Sequence, residues 1–498
     1  MRNAWLAALL VAAVATLVLV PNSPSGRVPS EDAGVFFYAA RELLTGGTPY
    51  LDVWDHKPPL IYVIDAVGLA IAGPTGVFLL QIAALAGAAL LSLRAMTRAF
   101  GLAAATFGTL AWLVASPRLF LKDEQQTSYV EFFVLPLQMA ALALVAARPD
   151  LRLGRREALG LGVLAALALL LKPTLIGLWV AIALVLLWRR RASAVPTIAA
   201  MAAGGAGVLF AFGVFFASRG ALDDLVEQAF RYNLAYASFA PFVDRLGAIP
   251  EGLRLTSPSG LAPFALVAAL YAVARRQTMP AVLVVAIVAL PIELLFATSG
   301  RAYHYYFLPW LAPMGALAAF AAREVLARSA WRPALLLIVA SLVLMSIQPA
   351  RLVARLAATP DDGSSRAAAA AIAQRTAPGD RVLIWGARAE VLILADRRSA
   401  TRYVYQYAPL ATRGYSGTDA IAAFLSELAR DRPAIIVDAS SASFVTPPLD
   451  RNGLRAWVSP ELQYAWPAET AQIVAFVEAN YVRETPIEGI GWPVWRRR

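Results

Sequence analysis

The stretch EDAGVFFYAARELLTGGTPYLDVWDHKPP, residues 31–59, carries five carboxylates: Glu31, Asp32, Glu42, Asp52 and Asp55. It also holds His56, one of only two histidines in the chain, and leads into Pro58 through Lys57, one of only three lysines. Of the 44 basic residues, 41 are arginine, so the places where this chain departs from arginine are worth tracing. Lys122 stands in LFLKDEQQTSYVEFF with Asp123, Glu124 and Glu131 around it, Lys172 stands in LLLKPT, and His304 in GRAYHYYFLP. A carboxylate can take a proton from an acceptor hydroxyl. Ammonium, guanidinium and imidazole groups can neutralise a departing phosphate, most effectively where water is excluded. Together these residue types suit transfer of a group from a lipid phosphate.

The elements that must position them are membrane helices. The chain is 59% hydrophobic and 15% charged over 498 residues, too apolar for a set of soluble domains, and several runs approach the ~20 residues a bilayer crossing needs. The segments read as spans lie near 4–20, 76–93, 102–117, 130–147, 158–171, 174–188, 195–217, 260–274, 280–297, 305–322 and 332–348, about 11 in all. With the N-terminus inside, the inner connections hold 15 arginines against 3 acids, and the outer ones 10 basic residues against 12 acids. That asymmetry sets the orientation by the positive-inside rule. It also accounts for the net charge of +11 without nucleic acid as a partner.

The first span is kept as an anchor, because VPNSPSG lacks a small-x-small cleavage site. Residues 59–73 are apolar but short and contain Asp65, which suits a helix at the outer interface. Arginines flank 158–188 at both ends, so LKPT at 171–174 becomes the tip of a helical hairpin, broken by its proline. All three lysines and both histidines then face the outer side, where an ionisable group at membrane depth is a functional candidate by default. From about residue 350 the composition changes: turn-rich DDGSS and APGD alternate with strand-like RVLIWG and AIIVDAS. This implies a transmembrane module over 1–349 and a small α/β extracytoplasmic domain over 350–498. The absence of cysteine excludes disulfides and thiolate metal sites.

These stretches resemble the GT-C glycosyltransferases, in particular the bacterial members related to protein O-mannosyltransferases and to the lipid A aminoarabinose transferase. The matching pieces are EDAGVFFYAARELLTGGTPYLDVWDHKPPLIY, SPRLFLKDEQQTSYVEFF, LLLKPT, FRYNLAYASF, GRAYHYYFLPWLAP and RVLIWGARAEVLILADRRSATRYVYQY. The resemblance implies an inverting, single-displacement transfer from a polyprenyl-phosphate sugar, with Asp32 as general base. Many relatives carry a second acid directly after that position; here Ala33 follows and Glu31 precedes. Lys57, Arg301 and His304 are expected to hold or neutralise the departing polyprenyl phosphate, with Lys172 reaching it from below. Asp55 and His56 are expected to shape the loop or orient Lys57, forming with it a phosphate-side or loop-shaping cluster. Asp123, Glu124 and Glu131 are further site candidates, and Tyr232, Asn233 and Tyr236 are expected near sugar or lipid.

No helix-spaced metal-ligand pair exists, so no obligatory metal is expected, although the carboxylates with one histidine could take a divalent cation. The implied partners are the lipid-linked donor, the bilayer, and a glycan, glycolipid or protein acceptor. An alanine- and arginine-heavy composition suggests a bacterial inner membrane with the site on the periplasmic side. Two readings compete. A transporter or flippase is expected to place its substrate site at the membrane midplane in repeated halves. A binding role for the C-terminal domain would survive loss of 1–349.

Overall fold

The structure is a computed structural model that describes residues 2–498 except 122–124, 239–240, 276–278, 298–301, 329–349, 352, 355–356, 358–362 and 417. The expected span at 332–348 and the candidates Asp123, Glu124 and Arg301 lie outside the described residues.

Helices occupy the other apolar runs: α1 (Arg2–Leu19), α2 (Glu31–Leu44), α3 (Leu60–Ala72), α4 (Pro74–Phe100), α5 (Leu102–Ala115), α6 (Val130–Ala146), α7 (Arg155–Leu171), α8 (Gly177–Arg190), α9 (Val195–Ser218), α10 (Phe242–Thr256), α11 (Leu261–Ala274), α12 (Ala281–Ala297) and α13 (Leu311–Leu326). Their limits have local causes. Gly73, at φ +61°, turns the chain and Pro74 opens α4 at a position where a missing N–H costs nothing. Gly101, at φ +89°, separates α4 from α5.

Five helical runs among the described residues are long and apolar enough to cross a membrane: Asn3–Asn22, Pro74–Phe100, Leu102–Phe120, Pro173–Ser218 and His304–Leu326. A sixth counts if the pair Arg245–Ser259 and Leu261–Ala274, bent by 103°, is one broken span. Length and apolarity by themselves therefore do not fix the eleven crossings expected. The reason is physical: α7 has 17 residues and α8 has 14, short of the ~20 a full crossing needs. The segments expected as separate spans at 174–188 and 195–217 fall within one run of 46 residues, interrupted by a 3₁₀ turn at Arg191–Ala194. Helices α7 and α9 touch through glycine: a Cβ on Gly162 would lie 1.8 Å from Met201 O, and one on Gly204 2.2 Å from Leu159 O. Only glycine permits that approach.

The C-terminal segment carries a five-stranded sheet in the order β4-β3-β5-β7-β6. Its strands are β3 (Arg381–Trp385), β4 (Arg398–Ser399), β5 (Ile435–Asp438), β6 (Tyr481–Glu484) and β7 (Val494–Arg497). RVLIW and IIVD are parallel neighbours, paired from Val382 opposite Ile435 to Trp385 opposite Asp438. All four residues of β5 are buried, as a central strand covered on both faces requires. A two-stranded parallel pair elsewhere joins β1 (Val28–Pro29) to β2 (Gln125–Gln126).

The sheet docks onto α2 and the loop after it. A Cβ on Gly34 would lie 2.6 Å from Glu390 N, so the two backbones meet without a side chain between them. Tyr38 OH accepts from Ser399 N–H at 2.7 Å, Arg41 donates to Arg397 O at 2.7 Å, and Trp54 N–H donates to Arg402 O at 2.8 Å. Glu42 is structural: it is buried and takes two bonds from Arg398.

Candidate active site

Asp32 lies in the first turn of α2, where a carboxylate is favoured by the helix dipole. Ser30 caps that helix, its hydroxyl accepting from Ala33 N–H at 3.4 Å while its own N–H donates to Gln126 O at 2.8 Å. The loop that ends in Tyr129 is fixed by a buried polar network. Asn22 bonds Gln81 and both sides of Thr127, Gln81 donates to Thr127 O at 2.7 Å, and Ser128 donates to both oxygens of Asp65. Asp65 is fully buried; it braces the loop instead of facing an interface.

Between these elements and the C-terminal unit lies a cavity of about 270 Å³. The first outer loop contributes Ser30, Glu31, Asp32, His56 and Lys57. Aromatic residues make up much of the remaining wall: Tyr129, Tyr236, Tyr303, Tyr305, Tyr306, Tyr407 and Tyr464, together with His304. The C-terminal unit adds Ala387, Ser443, Phe444, Val445 and Glu461. Tyr129 and Tyr305 are stacked at 4.0 Å, and Tyr303 stacks on Tyr305 in turn.

Asp55, His56 and Lys57 form a chain of contacts at the edge of this cavity. Asp55 is buried; Tyr62 OH donates to its Oδ2 at 2.7 Å, and Tyr405 OH to its Oδ1 at 2.6 Å. His56 Nδ1 is 3.1 Å from the Tyr405 hydroxyl, and His56 Nε2 is 2.9 Å from Lys57 Nζ. Burial pushes the Asp55 carboxyl up, partly offset by Lys57 and by the hydroxyls that bond it. Burial, then Lys57 and Lys172, hold His56 well below its ordinary value, so it is neutral. Lys57 is lowered by burial first and by Lys172 second, against the pull of Asp32, Glu131 and Asp55.

Lys172 closes α7 and precedes Pro173, so the hairpin tip is a backbone break with an ammonium on it. Its Nζ pairs with Glu131 Oε1 at 2.8 Å and sits 3.4 Å from the centre of the Tyr306 ring. Glu131 is thus both a first-turn acid of α6 and an ion-pair partner.

Of the sequence candidates, Asp32, His56, Lys57, His304 and Tyr236 line the cavity, with Asp55 behind them and Lys172 and Glu131 beside Tyr306. Tyr232 and Asn233 are absent from the lining and contact His56. The Tyr232 ring lies 5.1 Å from the imidazole and its hydroxyl bonds Thr412, while Asn233 Nδ2 donates to His56 O at 2.6 Å. They brace the loop. Sequence reasoning assigned no role to Tyr129, Tyr305, Tyr306, Tyr405, Tyr407, Tyr464 or Glu461; only the tyrosine density of HYYF and YVYQY hinted at them. It also passed over Glu293, buried in α12, which takes a bond from Gln138 at 2.9 Å and faces Gly177 at the start of α8. Among the described residues no group of three or more histidine, cysteine, aspartate or glutamate side chains is arranged to hold a metal ion.

No family model matches the chain, and no curated protein matches it. Solved structures do. ArnT from Cupriavidus metallidurans bound to undecaprenyl phosphate aligns with a TM-score of 0.63 at 14% identity, covering 99% of this chain and 98% of that one. The same protein in the apo state aligns at 0.57 and 16% identity, over 87% and 93%. The Archaeoglobus fulgidus oligosaccharyltransferase tethered with an acceptor peptide aligns at 0.52 and 12% identity, over 86% and 68%. The chain has the GT-C fold. It is a polytopic helical membrane protein, and the cavity between Asp32, Lys57 and the C-terminal unit lies inside that GT-C fold.

Proposed function

We propose that this chain is an inverting glycosyltransferase that moves a monosaccharide from a polyprenyl phosphate to a hydroxyl of a glycan, glycolipid or protein. The observation that carries the proposal is one cavity bordered by a helix-capped carboxylate, Asp32, and by an ammonium, Lys57. Carboxylate and ammonium are what the two ends of such a displacement need. Asp32 takes the proton of the acceptor hydroxyl. The acceptor oxygen attacks the anomeric carbon on the face opposite the phosphate, the anomeric carbon–phosphate oxygen bond breaks, and polyprenyl phosphate leaves with the electron pair. Lys57 faces the developing charge, with Lys172 adding to the positive potential and His304 a proposed contact to the phosphate. Arg301 keeps its proposed place as a phosphate contact on the family resemblance alone.

The reading draws on the GT-C fold and on the undecaprenyl phosphate held by the ArnT relative. A periplasm-facing site in a bacterial inner membrane, eleven crossings, and 350–498 as an outer domain belong to the same proposal. The experiment is reconstitution of the full chain in liposomes with a polyprenyl-phosphate sugar. Sugar appearing on acceptor with matching release of polyprenyl phosphate supports the reading; movement of intact donor between leaflets without its cleavage supports a flippase instead.

A further inference from the structure

We propose that Tyr405, contributed by the C-terminal unit, is a positioning residue of the site: its hydroxyl, held between Asp55 and His56, keeps His56 in the neutral tautomer that holds Lys57. The inference rests on the lipid-phosphate reading for its effect on turnover, but the geometry stands by itself.

As an ammonium, Lys57 Nζ has only protons to offer, so across the 2.9 Å contact His56 Nε2 accepts. The imidazole proton is then on Nδ1, which donates to the Tyr405 oxygen at 3.1 Å. Tyr405 passes its own proton to Asp55 Oδ1 at 2.6 Å. Each donor has one acceptor, and the chain runs in a single direction from imidazole through hydroxyl to carboxylate.

Asp55 Oδ1 also stands 3.3 Å from His56 Nδ1. Without the hydroxyl, that oxygen keeps the His56 backbone N–H at 2.8 Å, and the imidazole becomes its nearest side-chain partner. A carboxylate so placed favours imidazolium, and imidazolium has no lone pair for Lys57. Tyr405 therefore separates an acid and a base that would otherwise form an ion pair, at the expense of the ammonium that faces the cavity. The groups around His56 are Asp55, Tyr405 and Lys57 by contact, Tyr232, Tyr236 and Trp54 by ring packing, and Lys172 by its charge. Glu31 and Asp32 line the same cavity as His56, and Asp55 is the acid in contact with the imidazole.

The anchoring is not local. Tyr405 packs edge-on against Trp54, whose N–H bonds Arg402 O, so position 405 reports whether the C-terminal unit is seated on the first outer loop.

The test has two readouts on the intact chain. Nitrogen NMR of histidine-labelled protein sees only two imidazoles. In Tyr405→Phe the His56 signal is expected to titrate at higher pH than in the parent, a shift that does not depend on what the enzyme transfers. The second readout is binding of a short-chain polyprenyl phosphate from about pH 5 to about pH 8, the range in which imidazole charge changes. Tyr405→Phe is expected to lose affinity about tenfold toward the acid end, the equivalent of one pH unit of titration. His56→Gln keeps an acceptor for Lys57 and cannot titrate, so adding Tyr405→Phe to it is expected to change nothing further. An unchanged His56 titration in Tyr405→Phe, or an equal loss of affinity at every pH with or without His56→Gln, overturns the inference. A parent chain that binds polyprenyl phosphate no better than free polyprenol overturns the donor reading, while the NMR result still decides the role of Tyr405.

Discussion

Lys172 Nζ lies 2.8 Å from Glu131 Oε1, joining the tip of the α7–α8 hairpin to the first turn of α6, and both side chains are nearly removed from solvent. The ammonium also rests on the face of Tyr306, a geometry worth up to about 2 kcal/mol when desolvated. Breaking such a buried pair by removing one partner costs about 3–5 kcal/mol. Lys172→Met is therefore expected to lower the thermal midpoint of the purified chain. Lys172→Met combined with Glu131→Gln is expected to recover most of the loss. Equal midpoints for the parent and Lys172→Met would show that the pair contributes nothing.

Lys57 is expected to act on the departing phosphate, not on the acceptor. Lys57→Met should lower transfer by about a hundredfold, the scale of losing one charge-stabilising donor in a water-poor site. Kinetics with donor and acceptor varied separately check this: the loss is expected in kcat/KM for the donor, with acceptor KM unchanged.

Glu390 is fully buried where the C-terminal unit meets Gly34 of α2. Burial raises its carboxyl to about 7 despite the nearby Arg388 and the Ser365 hydroxyl. An unfolded glutamate titrates near 4.3, so between roughly pH 4.3 and 7 the folded chain holds a proton that the unfolded chain has lost. Stability contributed by this group is present below that window, falls as pH rises through it, and levels off above, by roughly 4 kcal/mol at most. Melting curves across this range are expected to slope less in Glu390→Gln than in the parent.

Chelation is expected to leave transfer unaffected. Both ring nitrogens of His56 are engaged, with Tyr405 and with Lys57, and both Asp55 oxygens accept hydroxyl protons. These donors are spent on one another. Activity lost to a chelator and restored by a divalent cation would reverse that conclusion.

Much of this site could be read from residue types alone. The apolar runs fold as helices within a few residues of where they were expected, because burying or inserting an apolar run leaves the backbone few other ways to satisfy its hydrogen bonds. The rarity of lysine and histidine led to His56, Lys57, Lys172 and His304, which the fold does gather. The crossings were harder to count, since apolarity marks α7 and α8 without saying whether helices of 17 and 14 residues each make a full span. Tyr405 and Tyr407 escaped notice because they come from a loop near 350 residues away, with no spacing to tie them to Asp55. For Tyr232 and Asn233 nothing in the sequence marked their contacts with His56, because an aromatic beside an amide reads the same whatever it touches.

The central claim is that Asp32 is the base for a transfer that starts from a lipid phosphate. Its most direct measurement is the single-turnover rate of sugar transfer from a polyprenyl-phosphate donor by Asp32→Asn, beside the binding of that donor by the same protein. The account predicts donor binding close to that of the parent and a transfer rate lower by at least about a hundredfold, within the range for loss of a general base. Transfer at the parental rate by Asp32→Asn would contradict it.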